Sequence, residues 1–258
     1  MTGRSPLRIS LCLLTWNEID GCRQDVPALP LQAFDEIFAI DGGSTDGTVD
    51  YLTERGIPVF QQETRTYNGA YLSAFRHCST DALVIFHPKG SIDPSVLLAF
   101  RLYFEQGCDL VIASRLIPGS VNEEDHRLLR PRKWFVRGLA LIAALFWKRD
   151  GSITWDVLHG CRGMGRQAFD LIEPLPQGVS IDLEMVVRAY RYKLRRAEFP
   201  VVEKPRPSGD THFKAWPTGK ALLRYVWREL RRPMNRDAIA RRSERLQLAP
   251  GKEHHTGK

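Results

Sequence analysis

Glu36-Ile37-Phe38-Ala39-Ile40 runs directly into Asp41-Gly42-Gly43-Ser44-Thr45-Asp46-Gly47-Thr48. A short apolar run ends on an acidic, glycine-rich turn, and the turn leads into residues that suit a helix over 48–55. Ser44 and Thr45 stand near its N-cap. The glycines let backbone approach a ligand, and the carboxylates can accept hydrogen bonds from ribose or base groups. The same residue types also build plain tight turns, so the surrounding segments have to decide between the two.

Working outward, Ile9–Thr15, Val59–Gln61, Ala82–Phe86 and Leu110–Ser114 are further short runs suited to strands. Residues 70–78 suit a helix. Asp93 or Ser95 opens another, with Pro94 where a first-turn proline is tolerated. This alternation predicts an α/β fold: a Rossmann-like, mostly parallel sheet with helices on both faces. Ligands in such sheets sit beyond the carboxyl ends of the strands. Segments 15–18, 41–46 and 86–91 all lie at such ends, so they are expected to converge. Thr15-Trp16-Asn17-Glu18 at the first of them tips the acidic turn from a plain turn to a binding loop.

The 258 residues suit one domain with appendages, and their composition is that of a globular protein. No run of about 20 apolar residues is present, which excludes a polytopic membrane protein. The net charge of +7 is unevenly spread. Residues 204–258 carry +9 and residues 126–149 carry +7, leaving a body of −9. Two cationic blocks on an acidic body suit an anionic surface such as phospholipid or polynucleotide, and equally a solvated face with a loose tail. No base-reading or aromatic-platform motif accompanies them, so no nucleic-acid partner is expected.

Past residue 115 the pattern changes. Residues 127–147 suit a basic and apolar helix. Arg130, Arg132, Lys133 and Arg137 lie at one end, Lys148 and Arg149 at the other, with Trp134, Phe135 and Trp147 between. The composition fits an interfacial helix, or a helix buried on the sheet with its cationic ends in water. A helix over 182–192, a strand near 195–202 and an amphipathic helix over 216–231 follow. The expected organisation is one domain over 1–231 with C-terminal interfacial helices, and a basic, flexible tail over 232–258. Cysteines 12, 22, 78, 108 and 161 form no CxxC pair, which fits reduced thiols in a cytoplasm. Residues 9–14 are a strand rather than a signal-peptide core. Gly160, Gly163 and Gly165 mimic a dinucleotide loop, but no strand is expected before them.

These residues together resemble a family-two glycosyltransferase with the GT-A fold, similar to dolichyl- or polyprenyl-phosphate hexose synthases. The family opens with a Pro-x-Tyr-Asn-Glu-like motif, matched by Leu14-Thr15-Trp16-Asn17-Glu18. An Asp-Asp-Gly-Ser-Thr-Asp-Gly-Thr motif follows, matched by 41–48 with Gly42 in place of the second Asp. Weaker matches are Asp156, Gly160, Cys161 and Arg162, and then Arg206, Gly209, Thr211 and His212 with Lys214 nearby. The resemblance implies that Thr15, Trp16, Glu18, Asp41 and Gly43 hold the base and ribose of a UDP- or GDP-hexose. It implies that Arg115 faces the acceptor phosphate or the diphosphate, and that Arg206 and His212 close over the diphosphate. Asp182 and Glu184 match the place of the family's general base. They are equally first-turn acids favoured by the helix dipole.

One departure bears on mechanism. The family's Asp-x-Asp, which holds a divalent metal, is replaced after Phe86 by His87-Pro88-Lys89-Gly90-Ser91. A magnesium or manganese ion would lack its usual ligands, so no cofactor and no metal residues are assigned. Either Lys89 supplies the positive charge directly while His87 adds a hydrogen bond, or the fold survives without catalysis as a nucleotide-binding or interaction protein. Asp93 is shifted from the motif and suits a helix cap. The expected reaction is inverting hexose transfer to a polyprenyl phosphate, at the inner face of the membrane. Arg130, Arg132, Lys133, Arg137 and Arg162 would then meet the acceptor or the lipid surface. Transfer to the hydroxyl of a glycan or other acceptor is the alternative. Oligomeric state is not readable.

Overall fold

Seven strands form one sheet in the order β3-β2-β1-β4-β6-β5-β7. They are β1 (Ile9–Thr15), β2 (Glu36–Asp41), β3 (Val59–Gln61), β4 (Ala82–Phe86), β5 (Leu110–Ser114), β6 (Arg162–Gly165) and β7 (Arg196–Pro200). The structure is a computed structural model that describes residues 6–122, 125, 130–205 and 215–232. β6 runs antiparallel to β4 and β5, and the other pairs are parallel. The expected α/β sheet is therefore present, and β1, β4 and β5 are buried along their whole length and near-continuously apolar.

Alternate residues of each strand feed two cores. Cys12, Leu14, Phe38, Ile40, Leu83 and Ile85 face one side. There they meet α3 (Tyr67–His77), α5 (Pro131–Trp147), α6 (Arg166–Ile172) and α7 (Ile181–Arg191). Ile9, Leu11, Leu13, Val84 and Phe86 face the other side. There they meet α1 (Ile19–Asp25), α2 (Thr48–Glu54) and α4 (Ala99–Glu105).

Three local readings are settled by the structure. The N-cap of α2 is Gly47, not Ser44 or Thr45, and Asp46 just before it accepts from Thr48 N at 3.0 Å and Thr48 Oγ1 at 2.6 Å. Asp93 does cap, accepting from Ser95 N at 2.9 Å. The glycines at 160–165 belong to β6 and its approach. A Cβ on Gly163 would lie 2.8 Å from Phe104 Cζ, so a glycine there lets α4 pack against the sheet.

The helix α8 (Ala215–Arg231) docks through Leu222, Tyr225 and Val226. Buried Glu229 ties it to α7, meeting Arg188 Nη2 at 3.3 Å and Arg191 Nη1 at 2.9 Å. In α5, Val136, Leu139, Ala140, Ala143 and Trp147 are buried, whereas Trp134, Leu141, Leu145 and Phe146 are exposed. One face of that helix is therefore buried on the sheet, and the other is exposed and carries apolar side chains. Among the described residues no helix is long and apolar enough to cross a membrane. Residues 233–258 of the expected tail, and Arg206 and His212, lie outside the described residues.

Candidate functional site

The three strand ends converge as expected. Asn17 N donates to Ser44 Oγ at 2.8 Å, and Thr45 N donates to Asn17 Oδ1 at 2.8 Å. Asn17 adopts a left-handed φ of 52°, a conformation asparagine tolerates better than most residues. Glu18 N donates to Thr48 Oγ1 at 3.1 Å. Segments 15–18 and 41–48 are thereby laced into one shelf.

Asp41 organises the shelf rather than facing a ligand. It is fully buried. It accepts from Thr15 Oγ1 at 3.0 Å, Gly43 N at 2.7 Å, Ser44 N at 2.7 Å and Ser44 Oγ at 2.5 Å. Four donors occupy the acceptor capacity of one carboxylate, which corrects its expected role as a direct nucleotide contact. Thr15 is likewise buried and committed to Asp41. Trp16, in contrast, is 49% exposed and lies beside Gly42. Gly43 has φ +96°, and an ideal Cβ there would sit 3.0 Å from Arg65 Nη2. Arg65, exposed on the loop between β3 and α3, therefore overhangs the shelf. Sequence reasoning did not single it out: no motif marks a lone arginine in a loop.

A cavity of ≈ 1290 Å³ opens beyond β4. That exceeds the usual range for one small ligand, about 300–1,000 Å³. Tyr67, His87, Lys89, Arg115, His159 and Asp182 line one end. Phe135, Val136, Trp216, Leu222 and Leu223 line the other, between α5 and α8, together with Arg132, Lys133 and Lys220.

Asp182 stands at the polar end. It accepts from Tyr71 Oη at 2.9 Å and Tyr67 Oη at 3.0 Å. Arg162 Nε lies 3.1 Å from its carboxylate. Burial raises its pKa, and the Arg162 guanidinium and the tyrosine hydroxyls offset only part of that rise. Arg162 itself is wholly buried in β6 behind Asp182, which corrects its expected place on an acceptor or membrane surface. Glu184 is also corrected. It points into the core, accepting from Ser180 Oγ at 2.6 Å, Leu175 N at 2.8 Å and Asn68 Nδ2 at 2.9 Å. It binds the chain around α7 instead of facing the cavity.

Arg115 reaches the cavity wall but is already engaged. It bridges Asp156 at 2.8 Å and Glu203 at 3.1 Å. Burial alone would raise Asp156, but the adjacent guanidinium holds it well below the usual carboxylate range. This corrects the expectation of Arg115 as a cation open to phosphate. His159 beside it is pushed down to about 4 by burial and by Arg115, so it is neutral at pH 7. Arg130 and Lys133 both pair with Asp125, at 3.1 and 2.5 Å. Arg132 and Arg137 are exposed.

A hard divalent cation wants several oxygen ligands. At this end of the cavity it would meet Lys89, and a carboxylate already bound to Arg162 and two tyrosines. Among the described residues no group of three His, Cys, Asp or Glu is arranged to hold a metal. The described residues therefore do not fit one, and residues 206–214 lie outside them.

The sequence model described as Glycosyl transferase family 2 matches residues 11–172. Glycosyltransferase AglJ of Haloferax volcanii is 25% identical over 230 residues, covering 86% of this chain and 73% of that protein. The low-salt glycan biosynthesis hexosyltransferase Agl6 of the same organism is 24% identical over 228 residues, covering 84% of this chain. Only 52% of Agl6 is covered, so the chain spans about half its length. Among solved structures, glucosyl-3-phosphoglycerate synthase from Mycobacterium tuberculosis in complex with Mn2+, uridine diphosphate and phosphoglyceric acid superimposes with a TM-score of 0.68 at 16% identity. It covers 89% of this chain and 81% of that one. The complex of the same enzyme with phosphoglyceric acid gives 0.67 at 15% identity, covering 89% and 82%. These likenesses speak to the fold.

Proposed function

We propose that this chain, which belongs to glycosyl transferase family 2 and is a nucleotide-sugar-dependent glycosyltransferase, moves a hexose from a UDP- or GDP-hexose to a polyprenyl-phosphate-like acceptor with inversion. The observation that carries the reading is the cavity. Lys89, His87 and Asp182 line it on one side; from α5 and α8 come the apolar Phe135, Val136, Trp216, Leu222 and Leu223 together with Arg132, Lys133 and Lys220. That sequence of environments matches an acceptor with an anionic head and a hydrocarbon tail. The exposed apolar faces of α5 and α8 lie beside the same cations, a composition suited to the plane of a membrane interface.

The donor base and ribose rest on the shelf at Trp16, Glu18 and Gly43, with the diphosphate directed toward Lys89. An oxygen of the acceptor phosphate attacks the anomeric carbon in line. The bond from that carbon to the diphosphate oxygen breaks, and its electron pair leaves with the nucleoside diphosphate. Lys89 stabilises the charge that develops on the leaving group, and His87 can donate a hydrogen bond. No metal enters this scheme. An ionised phosphate needs no general base, so no proton is transferred in the step.

A second reading has one observation in its favour. Asp182 combines a raised pKa with a place on the cavity wall. With a hydroxyl acceptor it would take the hydroxyl proton as attack proceeds. Transfer assays separate the two. Labelled hexose from UDP-glucose or GDP-mannose should pass to polyprenyl phosphate into the organic phase, and Asp182→Asn should keep that activity within about threefold. Label appearing only on hydroxyl acceptors, with Asp182→Asn lower by about 10²–10⁴, would favour the second reading.

A further inference from the structure

The turn that carries Lys89 is gripped from behind by α1. A Cβ on Gly21 would lie 2.2 Å from the Pro88 carbonyl oxygen and 2.7 Å from Lys89 Cα, so the two backbones meet only because residue 21 has no side chain. Gln24 Nε2 donates to the Gly90 carbonyl at 3.2 Å. Asp25, buried at the end of α1, accepts from Gly90 N at 2.8 Å and from the backbone N–H of Lys89. Lys89 lines the cavity.

We propose that Asp25 is a positioning residue for Lys89, its carboxylate fixing two successive backbone N–H groups so that the ammonium is held in the donor cavity. The inference rests on the reading above that Lys89 acts on the diphosphate. Its chemistry lies in α1, outside the motifs that define the shelf.

An ionised carboxylate at this place works against the fold. Burial raises Asp25 from 3.8 to about 6, despite the N–H groups of Gly90 and Lys89, and the nearby acids Asp93 and Glu18 add to the rise. The adjoining Cys22 thiol is pushed up to about 12 by burial and is neutral. A carboxyl raised in the folded state contributes stability that is complete below its unfolded pKa and lost as pH rises through about 6. At neutral pH the charged form therefore destabilises the protein, and a neutral amide of the same shape would relieve that. What the charge supplies is local: hydrogen bonds to an ionised acceptor are about twice as strong as neutral ones. Protonation weakens both bonds and loosens the Lys89 turn.

The test titrates UDP and GDP by calorimetry in EDTA, against wild type, Asp25→Asn, Lys89→Met and the double variant, from pH 5 to pH 8. Wild type should bind the preferred diphosphate about tenfold more tightly than Asp25→Asn at pH 8. The ratio should approach one at pH 5, and the ligand's own phosphate titration cancels in it. In the Lys89→Met background the Asp25 substitution should change nothing. Thermal unfolding of Asp25→Asn at pH 8 should be at or above wild type. Lys89→Met binding as wild type does, or no binding of either diphosphate to wild type, overturns the reading of Lys89 together with this inference. Weakened Lys89→Met, with Asp25→Asn still adding its full factor in that background, overturns the role of Asp25 alone. So does a ratio independent of pH. If Asp25→Asn fails to fold, Gly21→Ala displaces the same turn from the same helix; it should weaken diphosphate binding, and wild-type affinity there overturns the positioning role.

Discussion

Arg115 closes on Asp156 with two parallel hydrogen bonds, Nε to Oδ2 at 2.8 Å and Nη2 to Oδ1 at 2.9 Å. A cation that motif matching directs at substrate is instead joined to a carboxylate with no exposed surface. The pair staples the end of β5 to the segment leading into β6. Glu203 completes the arrangement from the chain beyond β7.

Removing that cation should therefore register first as instability. Arg115→Met keeps the apolar stem and strands Asp156, at a cost of about 3–5 kcal/mol in urea unfolding at pH 7. The sign follows from the depressed pKa of Asp156. Its pairing stabilises the fold above the unfolded pKa and is lost as pH falls toward the folded one. The gap between wild type and variant should narrow on acidification. A variant of normal stability that lost only donor affinity would return Arg115 to the substrate.

Lys89 makes the opposite prediction. It lines the cavity where an oxygen-ligand set would be needed for a metal. Turnover should persist in excess EDTA, and Lys89→Ala should lower kcat about 100-fold, the scale of losing one preorganised donor to a developing charge. Abolition of wild-type turnover by EDTA, restored by manganese or magnesium, would show that an ion does the work assigned to Lys89.

The outer faces of α5 and α8 predict vesicle binding. Leu145 is 74% exposed and Trp216 84%. Sedimentation with anionic phosphatidylserine vesicles should be strong at low salt and fall sharply by about 0.5 M, where screening shortens to a few ångströms. Leu145→Glu should abolish it while unfolding free energy stays within about 0.5 kcal/mol, because the side chain is largely exposed. No binding, or binding that Leu145→Glu leaves unchanged, would leave these faces without a membrane role.

Much of this was legible in the sequence, for physical reasons. Strands such as Ala82–Phe86 are continuous apolar runs because both faces are covered, and the turn at 41–48 announces itself by composition. β6 was not legible: Arg162-Gly163-Met164-Gly165 has neither alternation nor branched residues. Gly163 answers to Phe104, some sixty residues away in the chain. The site divides similarly. Lys89 and His87 line the cavity, and they stand out in the sequence because they follow a strand in a motif position. Glu184, Arg162 and Arg115 were misdirected because first-turn acids and lone arginines look alike whether they face a cavity or a buried partner. Asp25 lies in a helix too short to show a periodic face, and only the backbone contact at Gly21 reveals what it holds.

Arg65 offers the sharpest test of where the nucleotide lies. It overhangs Gly43, where φ is +96° and a side chain on residue 43 would crowd its guanidinium at 3.0 Å. No ion pair or hydrogen bond of its side chain is present among the described residues, and it is exposed, so it contributes little to the fold. A guanidinium above a shelf of backbone can stack on a base or hydrogen-bond a ribose or phosphate. Arg65→Ala should weaken UDP or GDP binding about tenfold by calorimetry, within the range for one hydrogen bond to a charged group, and leave the midpoint of thermal unfolding unchanged. Gly43→Ala should weaken it further, because the added Cβ meets both a left-handed backbone and Arg65. Unchanged affinity in both variants would move the nucleotide off the shelf and leave the cavity beyond β4 as the place to look for it.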